Sequence, residues 1–117
     1  MRMWGVSPKF MCREHLMGEH LEIHMFLGTI RKKISIHGYV KNNLVEPRSL
    51  ILRHEELVRE IKRRGYTHKS PVEDPDLSYL PEDIANAKLD KPRAAIELFR
   101  RCTKCLERRE KYDQVDR

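Results

Sequence analysis

The sequence predicts an all-α fold: a single compact domain of three main helices, with an extended N-terminus and a long acidic connecting loop. Three observations predict it. Proline sits at the start of three segments, at Ser7-Pro8, Glu46-Pro47 and Asp90-Lys91-Pro92. A helix tolerates proline there because the first N–H groups have no intrahelical partner to lose. Apolar residues then recur at helical spacing within each segment. Between the second and third segments, Pro71, Pro75 and Pro81 interrupt a stretch rich in Glu73, Asp74, Asp76, Glu82 and Asp83.

The first helix is expected over about 8–35, with Ser7 as its cap. Leu16, His20, His24, Leu27 and Arg31 share one side of it, and His15, Glu19, Glu22 and Phe26 lie roughly opposite. Gly18 and Gly28 interrupt this helix, each costing up to ~1 kcal/mol relative to alanine. Such a cost is understandable where another backbone or a ligand approaches closely. His37-Gly38 closes the helix, and Lys41-Asn42-Asn43 makes a polar connection.

The second helix, about 47–64, carries an apolar stripe of Leu50, Leu57, Val58 and Ile61. Gly65 ends it directly after Lys62-Arg63-Arg64. That basic triplet suits the negative end of the helix dipole and is equally suited to DNA phosphates. The proline-broken acidic stretch should cross on the face away from DNA, pinned by Leu77, Tyr79 and Leu80. A third helix over about 91–106 has Asp90 as cap and Ala94, Ala95, Leu98, Phe99 and Cys102 on its apolar side. The remaining 107–117 are charged apart from Tyr112 and Val115 and are expected to fray.

The 117 residues hold 24 Lys+Arg against 18 Asp+Glu, a net charge of +6. Excess positive charge on a small domain points to a polyanionic partner, because binding phosphates releases condensed counterions. Met1–Phe10 contains Arg2 and Lys9, and no apolar run is long enough for a signal peptide or a membrane span. The expectation is a cytoplasmic monomer without membrane contact, nucleoid-associated when acting on DNA. Three cysteines, an odd number, exclude a simple disulfide framework. Cys102 and Cys105 form a CxxC pair, but no histidine lies near them at finger-like spacing. Reduced thiols and no metal are therefore expected, with a metal-stabilised interaction domain as a competing reading. His20 and His24, four apart, have chelating spacing but border the apolar Leu16/Leu27 side, which favours structural histidines.

Signatures of many enzymes are missing: there is no phosphate-binding glycine loop, no GxSxG elbow and no HExxH. The acidic stripe of His15, Glu19 and Glu22, at spacings of four and three, stands out instead. A carboxylate stripe repels phosphates, so on a basic protein it is either solvated and faces away or does chemistry.

The run Glu14-His15-Leu16-Met17-Gly18-Glu19-His20-Leu21-Glu22, followed by Gly28-Thr29-Ile30-Arg31-Lys32, resembles the first helix of the pyrimidine-dimer DNA glycosylase/AP-lyase family. That family is typified by the endonuclease V of the T-even phages. Its pattern there is His-Leu-Met-Ala-Glu-Tyr-Arg-Glu, then Gly-x-x-Arg-Lys at the same distance. The second helix is similar as well, through Arg53, Glu56, Leu57, Glu60 and Arg64-Gly65-Tyr66. The likeness runs ungapped from Met1 to about Lys33, resumes from Arg53 to Tyr66, and is lost beyond Lys69.

The resemblance implies a chemistry. The family's nucleophile is the free α-amine of its first residue, which attacks C1′ of the damaged nucleotide. Unperturbed α-amines titrate near ~8, well below lysine, so part of the population is nucleophilic at physiological pH. By alignment the amine is that of Met1, expected to be retained because the bulky Arg2 resists aminopeptidase. Glu22 matches the family's catalytic carboxylate, which stabilises the cationic sugar or imine and moves protons. No cofactor or metal is implied, and the partner is double-stranded DNA with damaged or abasic nucleotides. The candidate DNA contacts are Arg2, His15, Glu19, Arg31, Lys32, Arg53, Arg63 and Arg64. Two family arginines, one just before the catalytic glutamate and one three residues after it, are Leu21 and Met25 here. The family's aromatic C-terminus is replaced by Cys102-Thr103-Lys104-Cys105 and a charged tail. The alternative is a non-enzymatic helical DNA-binding module, for which a free N-terminus is dispensable.

Overall fold

In the computed structural model, which describes residues 1–113, the first long helix begins later than its proline suggests. Pro8–Phe10 forms a separate 3₁₀ turn, and Ser7 makes no side-chain cap. Helix α1 spans Arg13–Arg31 and is capped by Cys12, whose sulfur accepts the His15 N–H. Two residues beyond its end, Lys33 takes φ 58°, a left-handed conformation more often left to glycine. The polar connection proposed around residue 41 is partly helical: α2 is a short turn of helix over His37–Lys41. A second 3₁₀ turn, Pro47–Ser49, leads into α3, Leu50–Arg63. Gly65 follows with φ 88°, a conformation that costs glycine little and other residues more.

The acidic crossing carries a single helical turn, α4 (Glu82–Ala85), which buries Ile84 and Ala85. Leu77, Tyr79 and Leu80 do pin it: Leu80 is in the core, and the Tyr79 hydroxyl donates to the Ile34 carbonyl at 2.7 Å. Helix α5 spans Lys91–Arg101, with Asp90 accepting the Arg93 N–H at 3.1 Å as its cap. Cys102 leaves helical geometry, at φ −121° and ψ 103°, and the chain restarts as α6 over Thr103–Asp113. The expected fray after residue 106 is thus helix as far as Asp113; residues 114–117 lie outside the described residues. Among the described residues there is no strand, and no helix is long and apolar enough to cross a membrane.

The core forms where α1 lies against α3. The buried positions of α1 are Leu16, Glu19, Ile23, Phe26 and Ile30, at alternating spacings of three and four. Those of α3 include Leu50, Arg53, His54, Leu57 and Ile61. The N-terminal segment is drawn into the same core: Met3, Trp4 and Val6 are buried. The Met3 N–H donates to the Leu44 carbonyl at 2.7 Å, so the chain start is tied to the segment between α2 and α3. On the far side, α6 packs against the first 3₁₀ turn, where Phe10 meets Phe99 edge-on and Arg108 donates to the Lys9 carbonyl.

Candidate active site

The tether at Met3 leaves Met1 and Arg2 at the mouth of an open groove of about 540 Å³ along α1. Trp4, His15, Gly18, Leu21, Glu22 and Met25 also line it. The Met1 amine lies 3.8 Å from Oε1 of Glu22, with the two side chains 13% and 30% exposed. That separation is an ion contact rather than a tight hydrogen bond. The structure therefore brings together the two residues the sequence put forward for chemistry.

Arg2 is held rather than free. Its guanidinium lies 3.6 Å over the Trp4 ring, and Nη1 donates to Glu97 at 3.0 Å. The hydrogen bond from Arg2 keeps the Glu97 carboxyl below the usual range. Arg2 thus links the groove to α5.

Four of the proposed DNA contacts need correction. Glu19 does not join Glu22 at the surface: its side chain is fully buried, and Arg53 grips it through two bonds of 2.6 and 2.9 Å. Residue 19 lies toward the α3 side of α1, so the face it shares with Leu16 and Ile23 wins over the face it shares with Glu22. Arg53 is equally unavailable, 5% exposed and also bonded to Glu56 and to the Met11 sulfur. Arg64 turns inward to bond Glu60 and the carbonyls of Pro8 and Met11. His15 faces three cysteine sulfurs, with Nδ1 3.2 Å from Cys12 and 3.7 Å from Cys105.

Arg31 and Lys32 are exposed at the end of α1. Arg63 is 58% exposed, although paired with Glu60. Glycine at 18 and 28 is not explained by protein packing, since a Cβ at either position would meet nothing within 4 Å. Gly18 instead lines the groove beside Glu22, where the space is open to a ligand.

Sequence reading picked out only half of each of two clusters, the Cys102/Cys105 pair and the His20/His24 pair. Cys12, His15, Cys102 and Cys105 place their ligand atoms within 4.8 Å of one another, and so do His20, His24, His54 and His68. The signal was Cys12-x-x-His15, a second pair with the same spacing as Cys102-x-x-Cys105 and far from it in sequence. His54 and His68 carry no such local signal, because His54 reaches His20 and His24 through the packing of α3 on α1, and His68 through the chain that follows α3.

No curated protein and no solved structure gives a match. The family model for the pyrimidine dimer DNA glycosylases matches residues 1–74, which include Met1, Glu22 and the whole α1–α3 pair. With more than half of the chain matched, and the matched part holding the groove, the protein belongs to the pyrimidine dimer DNA glycosylase family.

Proposed function

We propose that this chain is a DNA repair glycosylase with AP-lyase activity, working through the Met1 amine and Glu22, with pyrimidine dimers as its lesion. The supporting observation is the 3.8 Å approach of that amine to the Glu22 carboxylate inside an open groove. The neutral amine attacks C1′, the N-glycosidic bond breaks, and its electron pair leaves with the base, which takes up a proton. Glu22 stabilises the positive charge on the sugar and carries a proton to the ring oxygen as the ring opens. The resulting iminium acidifies the C2′ proton. Its removal expels the 3′ phosphate by β-elimination, and water then hydrolyses the imine to free the amine.

The base must leave the stack to be reached, at a cost of a few kcal/mol that is lowest at a lesion. Exposed Arg31, Lys32 and Arg63 supply positive charge for the DNA backbone. Borohydride reduction in the presence of abasic-site DNA tests the reading. A covalent adduct is expected with the unaltered protein. An adduct that persists after the α-amine is blocked, or strand cleavage that survives Glu22→Gln, overturns it. Nicking of UV-irradiated against depurinated plasmid reports whether dimers are the lesion.

A further inference from the structure

We propose that Cys12, His15, Cys102 and Cys105 bind a zinc ion in a tetrahedral site that fastens α5 and α6 to the start of α1. The distances fit a tetrahedron around one ion. Zn–S bonds of ~2.3 Å and Zn–N bonds of ~2.0 Å place sulfurs ~3.8 Å apart and sulfur to nitrogen ~3.5 Å apart. The Cys12 and Cys102 sulfurs are 3.8 Å apart, and His15 Nδ1 stands 3.2 and 3.7 Å from the Cys12 and Cys105 sulfurs.

Each sulfur also accepts a backbone N–H, as thiolates at structural zinc sites do. His15 donates to Cys12 at 3.4 Å, Cys105 to Cys102 at 3.4 Å, and Cys12 to Cys105 at 3.2 Å. Such donors spread the charge of a thiolate and orient it toward the ion. Cys12 and Cys105 are buried and Cys102 is half-buried, so the three free thiols converge at the edge of the core. Binding replaces the thiol protons by the divalent ion, so three protons are released to solvent and the imidazole enters neutral. The imidazole of His15 meets the Trp4 ring edge-on at 5.8 Å, so the ion also steadies the floor under Arg2 and Met1.

A separate observation carries a second site: we infer that His20, His24, His54 and His68 hold another divalent first-row ion between α1 and α3. Their ring nitrogens converge, with Nε2 of His24 and His54 at 3.2 Å, against ~3.3 Å for two nitrogens on one tetrahedral zinc. The Nε2 atoms of His20 and His68 are buried without a hydrogen-bond partner. His54 shares its other nitrogen with Glu55 at 3.0 Å, the carboxylate–histidine arrangement that aims Nε2 at a metal.

The test is metal content of the full chain produced with zinc, and the visible spectrum of the chain produced with cobalt. Two zinc ions per chain and an intense sulfur-to-cobalt band support both sites. One ion with that band supports the cysteine site and overturns the histidine site; one ion without it does the reverse. No bound ion overturns both. Cys102→Ser should remove one equivalent together with the band, and His68→Ala should remove one equivalent and spare the band. A variant that keeps both ions overturns the site to which its residue was assigned. Should either variant fail to fold, the unaltered protein's ion count and spectrum still decide.

Discussion

Arg53 of α3 holds Glu19 of α1 through both guanidinium nitrogens that face it, in an interface that excludes water. Burial works against the arginine's charge, but the two carboxylates of Glu19 and Glu56 raise its pKa further. Such a pair stabilises little over an apolar equivalent, yet breaking it strands a charge in the core. Glu19→Ala is therefore expected to cost ~3–5 kcal/mol in denaturant unfolding. Replacing both residues by apolar side chains of similar volume should recover most of that loss. A small effect of the single change would mean that the pair is solvated in solution.

Leu21 and Met25 line the groove of the proposed chemistry, 60% and 48% exposed. Apolar side chains inserted at a base step unstack it and open the duplex. Leu21→Ala should leave the unfolding free energy within ~0.5 kcal/mol, as for ordinary surface changes. It should slow release of a paired, stacked lesion much more than cleavage at a preformed abasic site. Equal slowing on both substrates would argue against a wedge.

Gly18→Ala and Gly28→Ala form a matched pair. Neither new methyl meets protein, so each should stabilise α1 by up to ~1 kcal/mol. Only the change at Gly18 places a methyl in the groove beside Glu22. Melting temperatures should rise in both variants, while DNA cleavage should fall for Gly18→Ala alone. Unchanged cleavage in both would show that DNA does not approach the helix closely at residue 18.

Glu46 predicts an acid limb in stability. Burial pushes its carboxyl up, but bonds from the Ser49 hydroxyl and the Leu89 N–H, with Lys88 and Lys91 nearby, bring it below its ordinary value of 4.5. A carboxyl depressed in the folded state stabilises fully above that ordinary value, and the gain disappears as pH falls through the folded one. Glu46→Gln should thus cost ~1.5–3 kcal/mol near neutrality, as for hydrogen bonds to a charged group. The difference from the unaltered protein should shrink steadily as pH falls below that ordinary value. A pH-independent difference would assign Glu46 a packing role instead.

Local chemistry made much of this molecule legible in the sequence. Asp90 caps α5, Gly65 follows α3, and Leu80 and Tyr79 anchor the acidic crossing, because each depends on near neighbours. Ser7-Pro8 misled, since a 3₁₀ turn also accepts proline at its start and Cys12 made the better cap one turn later. Among the candidate site residues, Met1 and Glu22 were put forward by a sequence pattern, and the fold places them 3.8 Å apart. Glu19, Arg53 and Arg64 were misplaced because helical spacing gives the faces but not which face meets α3. The cysteine and histidine clusters stayed hidden for the same reason: their halves meet only after the helices pack.

The family's sequence pattern ends at residue 74, yet the fold has no seam there. Arg2 reaches across to Glu97, the Lys9 carbonyl to Arg108, and the Cys12 N–H to the Cys105 sulfur. A cut after the matched portion would leave the floor of the groove without its buttress, so α5 and α6 are tied to the N-terminal segment rather than appended to it. Variation in those helices is free to rewrite their exposed surface but must keep Glu97, Cys105 and Arg108 in step with the first dozen residues. Exchanging this part between relatives should work only as a graft of both ends together.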